Sequence, residues 1–520
     1  MKTIEQMTLR EKIGQMIVTG FPSIEMSQEM QEVIEHYKVG NVILFSHNIE
    51  NKFQLGELTA QLQQSFTKHT GVPGFITIDQ EGGRVTRMPK DATNVAGAMA
   101  IASSGRTENA YAAGRITARE LKALGINFNL APVMDINNNP LNPVINVRSY
   151  GDSVETVREY GIAMMKGLID GGVMSSLKHF PGHGDTNVDS HIGLPTIDKS
   201  LEELEQLELI PFVSAIEQGA HAIMSSHILF PQIEKSGLPA TMSYAIITEI
   251  LKEKLGFKGL VVSDCLEMDA IKRYYGTAQG ALGAIKAGID LIFISHSVEL
   301  VEEAVHLIEE AVVAGDLKEA VIDAAVNKIL AYKSQYCSIE APNYNIVGCD
   351  VHRRANELMR TETICVVKGE IEQVHARDEQ LLFVGSYSYR SDMASSSVNK
   401  DANFAQYFGE HFEAAYEIID IDPNEVQIEA VMSKIQHYKH VVIGLFNGRE
   451  NKGQLELVKR IIASGCNLTA ITLGRPYDLS LIEGQFTGIA AFEYSANTFH
   501  SLIPLLNGEQ QSTAQITIQL

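Results

Sequence analysis

A chain of 520 residues is too long for one hydrophobic core, so at least two domains are expected. Its make-up, 45% hydrophobic and 20% charged, is that of an ordinary globular protein. The formal charge of -22 argues against nucleic acid, because phosphate binding needs a basic stripe and the Lys and Arg residues are scattered among more numerous acids.

The first residues, Met1 to Thr8, contain no apolar core of signal-peptide length, and no run of 18 apolar residues follows. A cytoplasmic protein with no membrane partner is the expectation. Five cysteines, an odd number without a CxxC pair, suggest neither a disulfide framework nor a zinc ribbon. From the start to about residue 335, short β-branched runs alternate with amphipathic helical stretches. The runs are Gln15 to Gly20, Asn41 to Phe45, Gly74 to Ile78, Ile126 to Ala131, Val173 to Leu177, Ala222 to Ser226, Gly259 to Ser263 and Ile289 to Ile294. Eight alternations in this length fit a TIM-type (β/α)8 barrel better than an open sheet. Between the runs, Asp152-Ser153-Val154-Glu155 offers a helix cap before a stripe of Val157, Tyr160, Met164 and Leu168, and Ser200 to Glu203 has capping-box spacing. Pro211 should break or kink that second helix.

A long helical stretch, about Val298 to Tyr336, ends the barrel. Ser338 to Asp350, with Pro342, Asn343, Asn345 and Gly348, has little periodicity and opens a predicted linker. Apolar runs at Gln380 to Val384, His440 to Phe446, Leu468 to Leu473 and Ile489 to Phe492 then predict a smaller α/β sandwich without a GxGxxG fingerprint or a P-loop. The expected division is a barrel over 1–337, a linker over 338–377 and a second domain over 378–520.

Polar residues gather where a barrel would use them. Asp79, Asp135, Lys178, His179, His227 and Asp264 each lie at or just beyond the C-terminal end of a run, the face on which barrel active sites are built. Each alone could be a cap or turn former; six together are harder to explain that way. The stretch Lys178-His179-Phe180-Pro181-Gly182-His183-Gly184-Asp185-Thr186, followed by Asp189-Ser190-His191, packs imidazoles, carboxylates and an ammonium among glycine and proline, and predicts a loop that forms either a metal cluster or a polar clamp on a ligand. Asp264 ends the buried run Gly259 to Ser263, where a rigidly aimed carboxylate can serve as a nucleophile, whereas Glu267 and Asp269 could simply open the next helix. Asp79-Gln80-Glu81-Gly82-Gly83-Arg84, with Arg87, sets acids and guanidinium groups around a tight turn.

With these motifs in order, and with Ala131-Pro132-Val133-Met134-Asp135 and Ser263-Asp264 with Met268, the chain resembles glycoside hydrolase family 3, and more narrowly its bacterial β-N-acetylglucosaminidase branch, which the Asp-Ser-His element marks. The resemblance implies a retaining exo-β-N-acetylglucosaminidase with Asp264 as nucleophile and His191, paired with Asp189, as acid/base. It implies Asp79, Arg87, Arg148, Lys178 and His179 as ligands of the sugar, and an N-acetylglucosamine-containing glycoside or muropeptide as substrate, with no cofactor and no metal. A histidine held by a carboxylate has a fixed tautomer and suits proton donation and abstraction near neutrality. Ordinary retaining glycosidases use two carboxylates, so this pairing departs from their pattern. His183 and Asp185 are expected to brace the loop, and Arg148 has a competing reading as a surface or structural ion pair.

Two other chemistries use the same residues. A metal-dependent hydrolase would draw on His179, His183, Asp185, Asp189 and His191, but their spacing matches no HxH or HExxH pattern and would leave Asp264 idle. Phosphorolysis is the subtler rival, since a neutral histidine in place of an anionic acid/base removes repulsion against incoming phosphate. The second domain is expected to carry no catalytic residue, and Glu493 within it to be structural or solvated.

Overall fold

The first eight strands are β1 (Ile17–Thr19), β2 (Asn41–Leu44), β3 (Phe75–Ile78), β4 (Phe128–Asn129), β5 (Met174–Phe180), β6 (Ala222–Ser225), β7 (Leu260–Cys265) and β8 (Leu291–Ile294). They close into a parallel barrel in sequence order, and β1 pairs with both β2 and β8 to complete the ring. The computed structural model describes residues 1–186, 193–389, 395 and 402–520. Each strand falls on one of the runs anticipated from sequence. Both faces of the barrel wall are covered, which is why the runs read as continuous apolar stretches rather than as alternation: in every strand but β7 all residues are buried. Phe75 and Phe128 meet edge to face at 5.4 Å between ring centroids, and both are fully buried. Truncating Phe128 to Ala is expected to cost about 3–5 kcal/mol.

Helices cover the outside. Val154–Asp170 starts at Ser153, whose hydroxyl accepts from the Thr156 N–H at 3.2 Å, and it buries Val157, Tyr160, Met164 and Leu168 as predicted. The helix Leu201–Gln206 stops before a new helix, Ile210–Glu217, that takes Pro211 in its first turn. Proline lacks an N–H and is tolerated there because that donor has no intrahelical partner anyway. The single long helical stretch anticipated near the barrel's end is two helices, Val298–Val313 and Glu319–Tyr336, parted at Gly315 with φ +80°.

A second sheet has six strands in the order β11, β10, β12, β13, β14, β9. These are β9 (Cys365–Lys368), β10 (Leu381–Gly385), β11 (Ala415–Ile418), β12 (His440–Leu445), β13 (Asn467–Thr472) and β14 (Thr487–Ala490). All neighbours are parallel except β9, which runs antiparallel to β14. The stretch 338–377, read from sequence as a linker, therefore carries an edge strand of this sheet, and it also carries the helix Asp350–Thr361. That helix escapes a hydrophobic reading because it is inverted: it buries His352, Asn356, Met359 and Arg360 while Val351 and Leu358 stand exposed. Its buried polar side chains are spent on other elements, His352 on Glu120 at 2.7 Å and Asn356 on the Asn94 carbonyl at 3.2 Å.

After the last helix, Ala496–Leu506, the chain returns to the barrel. The Gln515 N–H donates to the Ser103 carbonyl at 2.8 Å, the Thr517 hydroxyl to the Tyr150 carbonyl at 2.8 Å, and the Gln519 N–H to the Asp152 carboxylate at 2.7 Å.

Candidate active site

Beyond β3 the backbone folds back in a tight turn. The N–H groups of Glu81 and Gly82 both donate to the Val85 carbonyl, at 3.0 and 3.1 Å. Gly82 and Gly83 take φ of +98° and +54°, a left-handed conformation that glycine enters without a Cβ penalty. The Gln80 side-chain oxygen accepts from the N–H groups of Arg87 and Met88 at 2.7 and 3.0 Å, which fixes the returning limb. Asp79 and Glu81, two apart on an extended limb, share a face.

That face meets the end of β5. Lys178 Nζ lies 2.7 Å from Asp79 and 2.6 Å from Glu81. Glu81 also accepts two hydrogen bonds from Arg148, at 2.9 Å from Nε and 2.7 Å from Nη2. The four groups form one network in which Glu81, Lys178 and Arg148 are buried and Asp79, with a fifth of its side chain exposed, is the open end. Burial alone would raise the Glu81 carboxyl and lower both cations; the pairing outweighs it, so Glu81 is pulled down and Lys178 and Arg148 are pushed up. All three stay charged at neutral pH. Arg148 is a buried ion pair rather than a surface one.

One residue on, His179 Nδ1 donates to Asp135 Oδ2 at 2.6 Å, so Nε2 is the nitrogen directed away from the carboxylate. Asp135 also accepts from the backbone N–H groups of His179 and His183, at 3.1 and 2.7 Å. Burial would raise its carboxyl, and the His179 ring with these donors lowers it instead. Burial, with repulsion from His179, pulls the His183 imidazole down to about 4. The loop expected from Lys178 onward begins later, since Lys178 and His179 are still within β5: glycine and proline break the pattern only after Phe180. His183 and Asp185 do brace that loop's start. Asn142 Nδ2 donates to the carbonyls of His183 and Gly184 at 2.8 Å each, and Asp185 pairs with Lys199 at 2.7 Å.

Asp264 is the penultimate residue of β7, and its Oδ1 accepts from the Cys265 N–H at 2.7 Å. His227 Nε2 donates to the Cys265 carbonyl at 2.9 Å, tying the ends of β6 and β7 together. Glu267 accepts from the His296 N–H at 2.6 Å and the Ser297 hydroxyl at 2.5 Å, so it braces the loop after β8, while Asp269 opens a short helix and pairs with Arg273. The barrel rim thus gathers Asp79, Lys178, Arg148, His179 and Asp264. Arg87 is buried on the wall of a cleft of about 1120 Å³ between the barrel and the second sheet, with Arg84, Tyr389 and Tyr494. Asp189 and His191 lie outside the described residues. Among the described residues no three His, Cys, Asp or Glu side chains converge as a metal site. Two participants had no assigned role in the sequence reading, Glu81 and Asp135. The signal for Glu81 was its two-residue spacing from Asp79.

Residues 8–332 match the glycosyl hydrolase family 3 N-terminal domain. The chain belongs to glycosyl hydrolase family 3. A family 3 β-N-acetylglucosaminidase from Paenibacillus sp. str. FPU-7 has a structure similar to this one, with a TM-score of 0.93, 34% identity and 99% of each chain covered. Beta-hexosaminidase A of Pseudoalteromonas piscicida is 34% identical over 368 residues, which are 66% of this chain and 61% of that protein. A beta-hexosaminidase of Neisseria meningitidis serogroup C (strain 053442) is 34% identical over 295 residues, 55% of this chain and 80% of its own length. The match to the family 3 domain spans all eight strands of the closed barrel and every rim residue named above. No helix among the described residues of this family 3 chain is long and apolar enough to cross a membrane.

Proposed function

We propose that this chain is a retaining exo-β-N-acetylglucosaminidase that releases terminal β-linked N-acetylglucosamine, with cell-wall muropeptide fragments as natural substrates. The observation that carries the reading is the rim network: Lys178 held charged by Asp79 and Glu81, Arg148 held charged by Glu81, and Asp79 left partly open beside them form a directional clamp for the vicinal hydroxyls of a pyranose. His179, aimed by Asp135, adds a nitrogen to the same rim, and Arg87 extends the sugar's ligands toward the cleft. The similarity to the Paenibacillus β-N-acetylglucosaminidase supports the N-acetylated sugar.

In the first step the Asp264 carboxylate attacks the anomeric carbon, the glycosidic C–O bond breaks, and the leaving oxygen takes a proton from His191. In the second, water gives that histidine a proton as its oxygen attacks the anomeric carbon, and the Asp264 ester is released as carboxylate. Asp189 orients the His191 ring throughout. The barrel, 1–337, holds all of these groups, and the second domain, with the helix and edge strand inside 338–377, holds none of the reacting ones. The chemistry calls for no cofactor.

Product analysis with an aryl N-acetyl-β-glucosaminide, with and without phosphate, tests the reading. Free N-acetylglucosamine appearing first as the β anomer is expected. A sugar phosphate as main product would reassign the reaction to phosphorolysis. Inversion at the anomeric carbon, or faster turnover of the aryl β-glucoside, would overturn the mechanism or the substrate respectively.

A further inference from the structure

The loop after β14 reaches the barrel rim. Phe492, a buried aromatic residue, takes φ +66°, a region costly for any side chain with a Cβ and kept only where the surroundings over-determine it. It delivers Glu493, which is 7% exposed. Glu493 Oε1 accepts from Arg360 and from the Thr498 hydroxyl, the latter at 2.8 Å. Its other oxygen has no hydrogen-bond partner among the described residues and abuts Gly83 so closely that a Cβ there would come within 2.6 Å. Arg360 donates from Nη2 to the Asn94 carbonyl at 2.9 Å, and the next carbonyl, that of Val95, accepts from the Gly83 N–H at 3.0 Å. Glu493 lines a void of about 10 Å³ together with Glu81, Arg84 and Arg148.

We propose that Glu493 is a positioning residue for the sugar site, through which the second domain sets the geometry of the barrel rim. The inference rests on taking the Asp79, Lys178, Glu81 and Arg148 network as that site. Gly82 and Gly83 let the turn fold, and the same freedom lets it drift unless something backs it. Glu493, clamped by Arg360, supplies that backing: its free oxygen and the Gly97 backbone together fill the space a Gly83 side chain would enter. Asp79 and Glu81 stand on the limb that leads into this turn, and displacements near 1 Å are enough to spoil a bound ligand's alignment. A carboxylate accepting from a guanidinium acts here as an acceptor, not as a proton donor to a leaving group.

The test is steady-state kinetics of full-length Glu493→Gln and Arg360→Met on two N-acetyl-β-glucosaminides, one with an activated phenol and one with a poor leaving group. With either substrate KM should rise roughly tenfold and kcat should stay within about twofold, because uniform binding is lost. The double variant should be no worse than the worse single, and azide should restore nothing. Unchanged KM would make Glu493 a merely structural acid and sink the proposal while leaving Asp264 and His191 untouched. A loss that grows with leaving-group pKa, rescued by azide, would make Glu493 the acid/base and overturn this proposal and the His191 assignment together. If the two variants fold poorly, Thr498→Val, which removes only the hydroxyl that donates to Glu493, should raise KM in the same direction by a smaller factor; an unaltered KM there would overturn the inference. A wild-type chain inactive on both substrates would count against the proposed function itself.

Discussion

Lys178 and Lys333 are both buried in the barrel, one at the rim and one at the floor, and they are handled in opposite ways. Lys178 has two carboxylates within 2.7 Å, Asp79 and Glu81, and they outweigh burial to push its amine up. Lys333 donates to neutral oxygens, Gln15 Oε1 at 2.6 Å and the Gly40 carbonyl at 2.9 Å, and lies 5.4 Å from the Phe75 ring centroid. Burial there pulls its amine down to about 7. A buried lysine given counter-charges keeps its positive charge; a buried lysine given only neutral acceptors holds it at a cost. Burial alone therefore says nothing about function, and the company of the charge does.

The widest gap between the two ends should appear in activity. Asp264→Ala is expected to lower turnover roughly 10⁴-fold or more with little change in melting temperature, read by single-turnover kinetics against thermal denaturation. Lys178→Met comes next. It breaks a buried pair and leaves Asp79 and Glu81 short of a donor, at a cost of about 3–5 kcal/mol in stability and a large rise in KM, measured by chemical denaturation and kinetics. Lys333→Met, which replaces an amine held charged only at a cost by an apolar chain of similar length, should leave KM alone and cost less stability at neutral pH than Lys178→Met does. If Lys333→Met damaged sugar binding as much as Lys178→Met, the contrast between rim and floor would collapse.

A pH titration sharpens the same contrast. The Lys333 amine sits near 7 folded against an ordinary 10.5, so between those values the unfolded chain binds more protons and stability rises with pH. Its cost is full below about 7 and fades toward 10.5, and Lys333→Met should flatten that slope in denaturation midpoints. His183, near 4 folded against 6.5, works on the acid side. Its cost grows as pH falls from 6.5 to 4, and His183→Asn should remove this contribution to the acid limb.

Much of the rim could be read from residues because strand ends are marked twice, by apolar runs and by the polar residues that follow them, even though β5 and β7 run on past Lys178 and Asp264. Asp264 and Lys178 are legible for that reason. Glu81 was not assigned, since a second acid beside Asp79 looks like turn composition until its cations are placed. Among the elements, β9 and the helix Asp350–Thr361 were lost in the predicted linker. The strand is four residues long at a sheet edge, and the helix hides polar groups and shows apolar ones, so periodicity points the wrong way. β11 escaped for a related cause: its residues alternate between half-buried and exposed, and Ala-Tyr-Glu-Ile is too short for alternation to register. Glu493 stood in plain sequence as one more acid, and nothing local shows which surface a loop will touch.

The return of residues 515–519 to the barrel at Ser103, Tyr150 and Asp152 has a consequence for how the molecule comes apart. The second sheet leaves the barrel after Tyr336 and is fastened to it again at the far end of its own chain, so it is an arch with both feet on the same base. Swinging on one foot alone would tear out the other. The expected calorimetric trace is a single cooperative transition, and cutting the strap with Thr517→Pro should split it in two.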